Sequence, residues 1–154
     1  MRDLPTTALS VILLLGCSGI KPYPNTSLKN LHIQTQTEGA IAELDIYRVN
    51  AGCQTEYRGR VSLDKPSVEV GIPSDGLHYL DFIFASKTFL SPSVNVVRYD
   101  TLLLPRRERQ YEARVRYVQS MYSVVIREVA PGSSTGRVIE RARLSDCGKG
   151  VLPR

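Results

Sequence analysis

Three cysteines, two histidines and a run of arginines in the second half are the residues of this chain whose chemistry is worth placing first. Nucleophilic catalysis needs a nucleophile, a base beside it and a group to orient the base. The only imidazole bases are His32 and His78. His32 falls on the polar face of a segment that reads as an edge strand, and His78 follows directly on a turn. No G-x-S-x-G, H-E-x-x-H, calcium-loop or Gly-rich phosphate-loop pattern is present. The carboxylate pairs Glu43/Asp45 and Asp64/Glu69 would act together only if the fold joined them. These residue types in these positions predict a protein that is not an enzyme, with no catalytic residues, no metal site and no cofactor.

The arginines are the stronger feature. From Cys17 to Val97 seven basic residues face eight acidic ones, whereas from Arg98 onward twelve face six. Arg106, Arg107 and Arg109 share one turn. Arg114 and Arg116 lie on one face of the strand that follows, and Arg137, Arg141 and Arg143 on the last strand. If that strand pairs near the Gln110–Ala130 hairpin, all eight merge into one face. Guanidinium forks match phosphate and carboxylate, so the face is a candidate for binding an anion or an acidic partner. The other reading is a solvated face of alternating charge, since Glu and Asp interleave with the arginines.

The elements that must position these residues are strands. Period-two alternation runs through Leu31–Thr35, Ala40–Val49, Tyr57–Leu63 and Val68–Val70. Leu77–Ala85 is apolar on both faces and reads as a central core strand. Val96–Leu104, Gln110–Gln119, Met121–Ala130 and Arg137–Leu144 complete the set. Gln119-Ser120 is a tight hairpin connection of unusual composition. Turn signals recur at Asn50–Gly52, Pro73–Gly76 and Pro131–Gly136. Eight or nine short strands and no amphipathic helix predict an all-β protein, a single antiparallel β-sandwich over residues 30–148. The order from Glu43 to Ala85 loosely resembles transthyretin-like or immunoglobulin-like modules of envelope lipoproteins.

Ala8–Leu15 is an apolar run too short to span a bilayer as a helix, which needs about 20 residues. Its length suits the centre of an export signal. Leu14-Leu15-Gly16-Cys17, with Leu in a position more often Ala or Ser, resembles the lipobox of bacterial lipoproteins. That resemblance implies residues 1–16 as a signal helix that is removed, and Cys17 as a lipidated N-terminus. Two or more acyl chains make a stable membrane anchor where one does not. Ser18, rather than Asp, implies the outer membrane by the same resemblance, with the domain facing the periplasm. Residues 17–29, rich in Pro, Asn and Ser, are then a flexible tether, and 149–154 a disordered tail. An ordinary buried Cys17, or a plain secretory signal before it, are the other readings. With Cys17 acylated, Cys53 and Cys147 are left to pair as a disulfide in an oxidising compartment. No C-x-x-C and no nearby histidine support a metal or redox pair.

The expectation is a lipid-anchored envelope protein whose partners are the membrane and an envelope protein, without nucleic acid. It would serve as a structural or protein-interaction module. The alternative is capture of lipopolysaccharide or peptidoglycan by the arginine face.

Overall fold

The structure, a computed structural model, describes residues 19–87, 93–133 and 135–149. The signal peptide, Cys17 and all of the tail except Lys149 lie outside the described residues. The described chain forms nine strands and one turn of 3-10 helix, and no α-helix. The strands are β1 (Leu31–Thr37), β2 (Ala40–Val49), β3 (Thr55–Ser62), β4 (Ser67–Val70), β5 (Leu77–Lys87), β6 (Val94–Leu103), β7 (Gln110–Val118), β8 (Met121–Val129) and β9 (Gly136–Val138). They build two sheets, β4-β1-β7-β8-β9 and β3-β2-β5-β6. The expected all-β sandwich is the fold.

Alternation decides which side chains enter the core. On β7, Tyr111, Ala113, Val115 and Tyr117 are buried while Glu112, Arg114 and Arg116 face water. The facing sheet contributes Ala42, Leu44 and Ile46 from β2 and Leu80, Phe82 and Phe84 from β5. The β7–β8 hairpin turns on Gln119 and Ser120, at φ 51° and 64°. Both residues thus have the positive φ that a two-residue turn needs to match strand twist.

Several expectations need correction. β1 is an interior strand, paired antiparallel to β4 and parallel to β7, so His32 is not on an edge. The last strand is three residues long rather than Arg137–Leu144. Beyond it the chain leaves the sheet and crosses to β6, where Leu102 N–H donates to the Ala142 carbonyl (2.7 Å). Ala142, Leu144 and Cys147 then cover Val49, Leu77, Tyr79 and Leu102 on the outer face of the second sheet. This C-terminal strap is pinned by a Cys53–Cys147 disulfide, with Cα atoms 5.8 Å apart.

The tether is also corrected. From Lys21 onward it is an arm bonded to the sandwich. Arg60 N–H donates to the Lys21 carbonyl and Tyr23 N–H to the Arg60 carbonyl, both at 2.9 Å. The Tyr23 hydroxyl reaches the Gly71 carbonyl (2.8 Å), and Asn25 Oδ1 accepts from Gly71 N–H (2.7 Å). Two glycines make room for it. A Cβ on Gly59, which has φ +142°, would lie 2.6 Å from Tyr23 Cα, and one on Gly71 would lie 2.3 Å from the Ser27 carbonyl oxygen. Side chains at either position would displace the arm.

The strand directions give the sandwich two distinct ends. One carries the loops 50–54, 71–76, 104–109 and 130–135, together with the disulfide. The other carries the turns 38–39, 63–66 and 119–120.

Candidate functional site

The structure divides the eight arginines into groups. The reason is the shortness of β9, which keeps only Arg137 beside the β7–β8 hairpin. At the loop end, Arg106, Arg109 and Arg137 surround Glu128 at 3.9, 3.6 and 3.2 Å. Glu128 points along the core-facing side of β8, opposite Tyr111, and its side chain is only 10% exposed. Tyr111 holds the loop in place by accepting the Arg106 N–H at 2.9 Å, and burial raises its own pKa. Arg107 projects from the same loop, exposed and without an ion-pair partner among the described residues.

Arg114 and Arg116 stand on the outer face of the five-stranded sheet. They lie opposite Gln34 and Gln36 of β1, and Arg116 Nε donates to Gln36 Oε1 (3.2 Å). Neither meets a carboxylate among the described residues. With the two glutamines they line a shallow depression of about 220 Å³. Arg141 and Arg143 belong to the strap. Arg141 pairs with Asp100 and lies over the Tyr99 ring, 4.6 Å from its centre. Arg143 donates its backbone N–H to Asp146 Oδ2 (2.9 Å) at the start of the 3-10 turn.

The outer face of the second sheet holds a feature the sequence reading did not assemble. Register places Arg60, Asp45, Asp81 and Asp100 in one row across β3, β2, β5 and β6. Asp45 and Asp81 are 4% and 3% exposed although they face away from the core. Each carboxylate of the row has its own guanidinium. Arg60 grips Asp45 with Nε and an Nη, both at 2.7 Å, and reaches Glu43 at 2.7 Å. The Tyr57 hydroxyl also donates to Asp45 (3.2 Å). Arg98 bonds Asp81 Oδ2 and Arg141 takes Asp100. The bidentate grip holds Arg60 protonated well above its ordinary range.

Asp81 is the less satisfied member. Its Oδ1 is buried without a hydrogen bond. Burial raises its pKa, Arg98 pulls it back, and Asp45 and Asp100 push it further up. Beside the row, Tyr47 packs between Tyr57 and Tyr79 with its ring tilted to both, ring centres 5.2 and 5.4 Å apart. Burial, then Asp81 and Asp100, push Tyr79 up to about 12. Two carboxylates directly opposite each other on neighbouring strands have the placement acid–base chemistry uses. Here both are engaged by arginines, and the ion pairs of this ladder tie β3 to β2, β6 to β5 and the strap to β6, while between β2 and β5 carboxylate faces carboxylate. Only the period-two placement of Glu43/Asp45, Asp81 and Asp100 within strands hinted at it.

The histidines stand apart. His78 is buried and its Nε2 lies 2.9 Å from the Pro73 carbonyl, with burial lowering its pKa. His32 is half-exposed, 3.8 Å from Glu69. Among the described residues, no group of three His, Cys, Asp or Glu could hold a metal ion.

No protein-family model matches this chain. No curated protein matches it. Among solved structures, sea bream transthyretin in complex with thyroxine is similar at 13% identity with a TM-score of 0.44, over 69% of this chain and 99% of that one.

Proposed function

We propose that this chain is a lipid-anchored cell-envelope protein that serves as a non-enzymatic structural or protein-interaction module. The observation that carries the reading is Leu14-Leu15-Gly16-Cys17, ending an apolar run four residues before Lys21, the first of the described residues bonded to the sandwich. The pairing of the other two cysteines supports it, because an oxidising compartment is where such a bond persists. The placement of the polar residues supports a non-catalytic role. The buried carboxylates are engaged by arginines, and His78 faces a backbone carbonyl.

The test is a Cys17→Ser variant of the full chain, followed by acyl labelling and membrane fractionation. Loss of label and release from the membrane fraction are expected. A variant that keeps its label or its membrane association overturns the anchor. Crosslinking in intact cells should capture a discrete envelope protein, and capture of none removes the interaction role.

A second reading, capture of an anionic envelope ligand, is favoured by Arg114 and Arg116. They share the outer face of β7, with no carboxylate partner among the described residues. Salt-sensitive binding to lipopolysaccharide or peptidoglycan fragments that survives Arg114→Ala/Arg116→Ala would refute it.

A further inference from the structure

The arm and the charge of the loop end together say how an anchored domain would sit. The arm runs parallel to β3, with Pro22 bridging to Arg60, so the chain before it leads toward the Thr55 end of that strand. Cys17 is four residues from Lys21, a reach of at most about 14 Å fully extended. The loop end is within that reach, since β3 spans about 10 Å from Arg58 to Thr55. The turn 38–39 at the opposite end lies beyond reach, since Arg60 is level with Asp45 and from there to Ala40 is about 17 Å along β2, and the turn 63–66 lies at the Ser62 end of β3, against the direction in which the arm runs.

The charges of the two ends differ. Arg106, Arg107, Glu108 and Arg109 line a depression of about 520 Å³ at the loop end, Lys29 lies between its lining residues Leu28 and Asn30 in the chain, and Arg137 joins Arg106 and Arg109 on Glu128. The other charges close by, Arg48 with Asp75 and Arg58 with Glu56, are paired at 3.3 and 3.0 Å. Lys29 and Arg107 are exposed and have no carboxylate partner among the described residues. Leu28, which lines the same depression, is 85% exposed. The turns of the opposite end carry Glu38 and Asp64 against Lys65 and Lys87, which balance. Basic side chains around an exposed apolar one suit an anionic membrane surface, where each Lys or Arg brought to the headgroups contributes about 1 kcal/mol, about fivefold.

We propose that the domain docks end-on against anionic phospholipid headgroups through Leu28, Lys29 and the Arg106–Arg109 loop, rather than standing off on a tether. This rests on the lipid anchor proposed above. The chain contains no tryptophan, so one introduced indole reports its own surroundings. Leu28→Trp places it at the loop end and Met121→Trp at the opposite end, where Met121 is 71% exposed.

The full acylated chain is reconstituted into phosphatidylcholine vesicles with and without phosphatidylglycerol, with bromines high on the acyl chains as quencher. The indole of Leu28→Trp should be quenched and blue-shifted, more so with phosphatidylglycerol, and that of Met121→Trp should not. Adding Lys29→Glu/Arg107→Glu, which leaves the Glu128 cluster intact, should cut the docked-to-free ratio by at least about fivefold per residue. Equal quenching at both positions overturns end-on docking. Quenching of Leu28→Trp that ignores phosphatidylglycerol and the double variant overturns the role of charge. Intact mass on the same samples separates the premises: acylated protein with the wrong quenching pattern refutes only the orientation, and unacylated protein refutes the anchor as well.

Discussion

Replacing Cys53 and Cys147 by serine should reduce stability by most of the loop-closure entropy of the disulfide. The bond closes a loop with a sequence separation of 94. The chain-entropy model gives about 4–5 kcal/mol for that length. How much of this appears depends on whether the strap stays seated without the bond. Three contacts say that it does: the Leu102–Ala142 backbone bond, the Arg141–Asp100 pair, and the burial of Ala142 against Val49 and Leu102. The folded state then changes little and the unfolded state gains the whole entropy. A single domain is stable by about 5–15 kcal/mol, so the variant should still fold. With a urea dependence of about 2 kcal/mol per molar, its midpoint should fall by about 2 M. Equilibrium unfolding followed by far-ultraviolet circular dichroism measures this, and wild-type protein reduced with dithiothreitol should superimpose on the variant. A midpoint shift below about 0.5 M, on the same urea slope, would refute the reasoning, because it requires the strap to detach and recover its freedom in the folded state.

Three further outcomes follow from the outer-face ladder and the hairpin. Arg60→Met leaves the buried Asp45 charge without its partner and should cost about 3–5 kcal/mol; adding Asp45→Asn should recover part of that loss in the same denaturation assay. Asp81 has a raised pKa in the folded state, so the folded protein holds its proton to higher pH than the unfolded chain. The Asp81 contribution is therefore most favourable below the unfolded carboxyl value of about 3.9 and is lost as pH rises through the folded value. Asp81→Asn should flatten the fall in Tm over that window and raise Tm at neutral pH, and identical Tm–pH slopes for the two proteins would count against this. Gln119→Asn/Ser120→Gly puts residues suited to positive φ where φ is already 51° and 64°, and should stabilise by about 0.5–1 kcal/mol; a destabilised variant would mean that Gln119 or Ser120 makes a contact of its own.

What was legible in the sequence is what local alternation controls. β2, β7 and β8 begin and end within about a residue of their apolar–polar pattern, since burying one face settles which residues can belong to the strand. The disulfide was legible through the resemblance that set Cys17 aside. Strand order was not. β1 reads as an edge because nothing local records that β7, far along the chain, returns parallel beside it. The ionic row was hidden for the same reason, since Asp45, Asp81 and Asp100 meet only through register. Glu140–Arg143 shows the converse error. It follows the apolar Val138 and Ile139 and reads as their continuation, but Arg141 and Ala142 find their partners on β6 and leave β9 short. The arm misled through composition. Pro22, Pro24 and Asn25 exclude helix and regular strand, but they do not exclude fixed bonds to Arg60, Glu69 and Gly71.

Arm and strap also narrow the stretches of sheet edge that remain open to another chain. Unpaired edges invite strand addition and are commonly covered. The arm covers β3 at Arg60, and the strap covers β6 at Asp100 and Leu102. β4 and β9 are short, at four and three residues. The lower half of β6, Val94 to Arg98, has β5 on one side and no other backbone partner among the described residues. Its outward Val96 is 52% exposed, and it lines up through Ala85 with Ile41 at 66%. An extended segment added there would gain main-chain bonds and an apolar contact. This stretch lies at the end opposite Arg107, so a domain docked on the membrane by its loop end would hold it toward a partner. Val96→Lys should then leave stability within about 0.5 kcal/mol, as exposed substitutions do, while abolishing the crosslink to the envelope protein. A crosslink that survives Val96→Lys unchanged would move the interaction surface elsewhere.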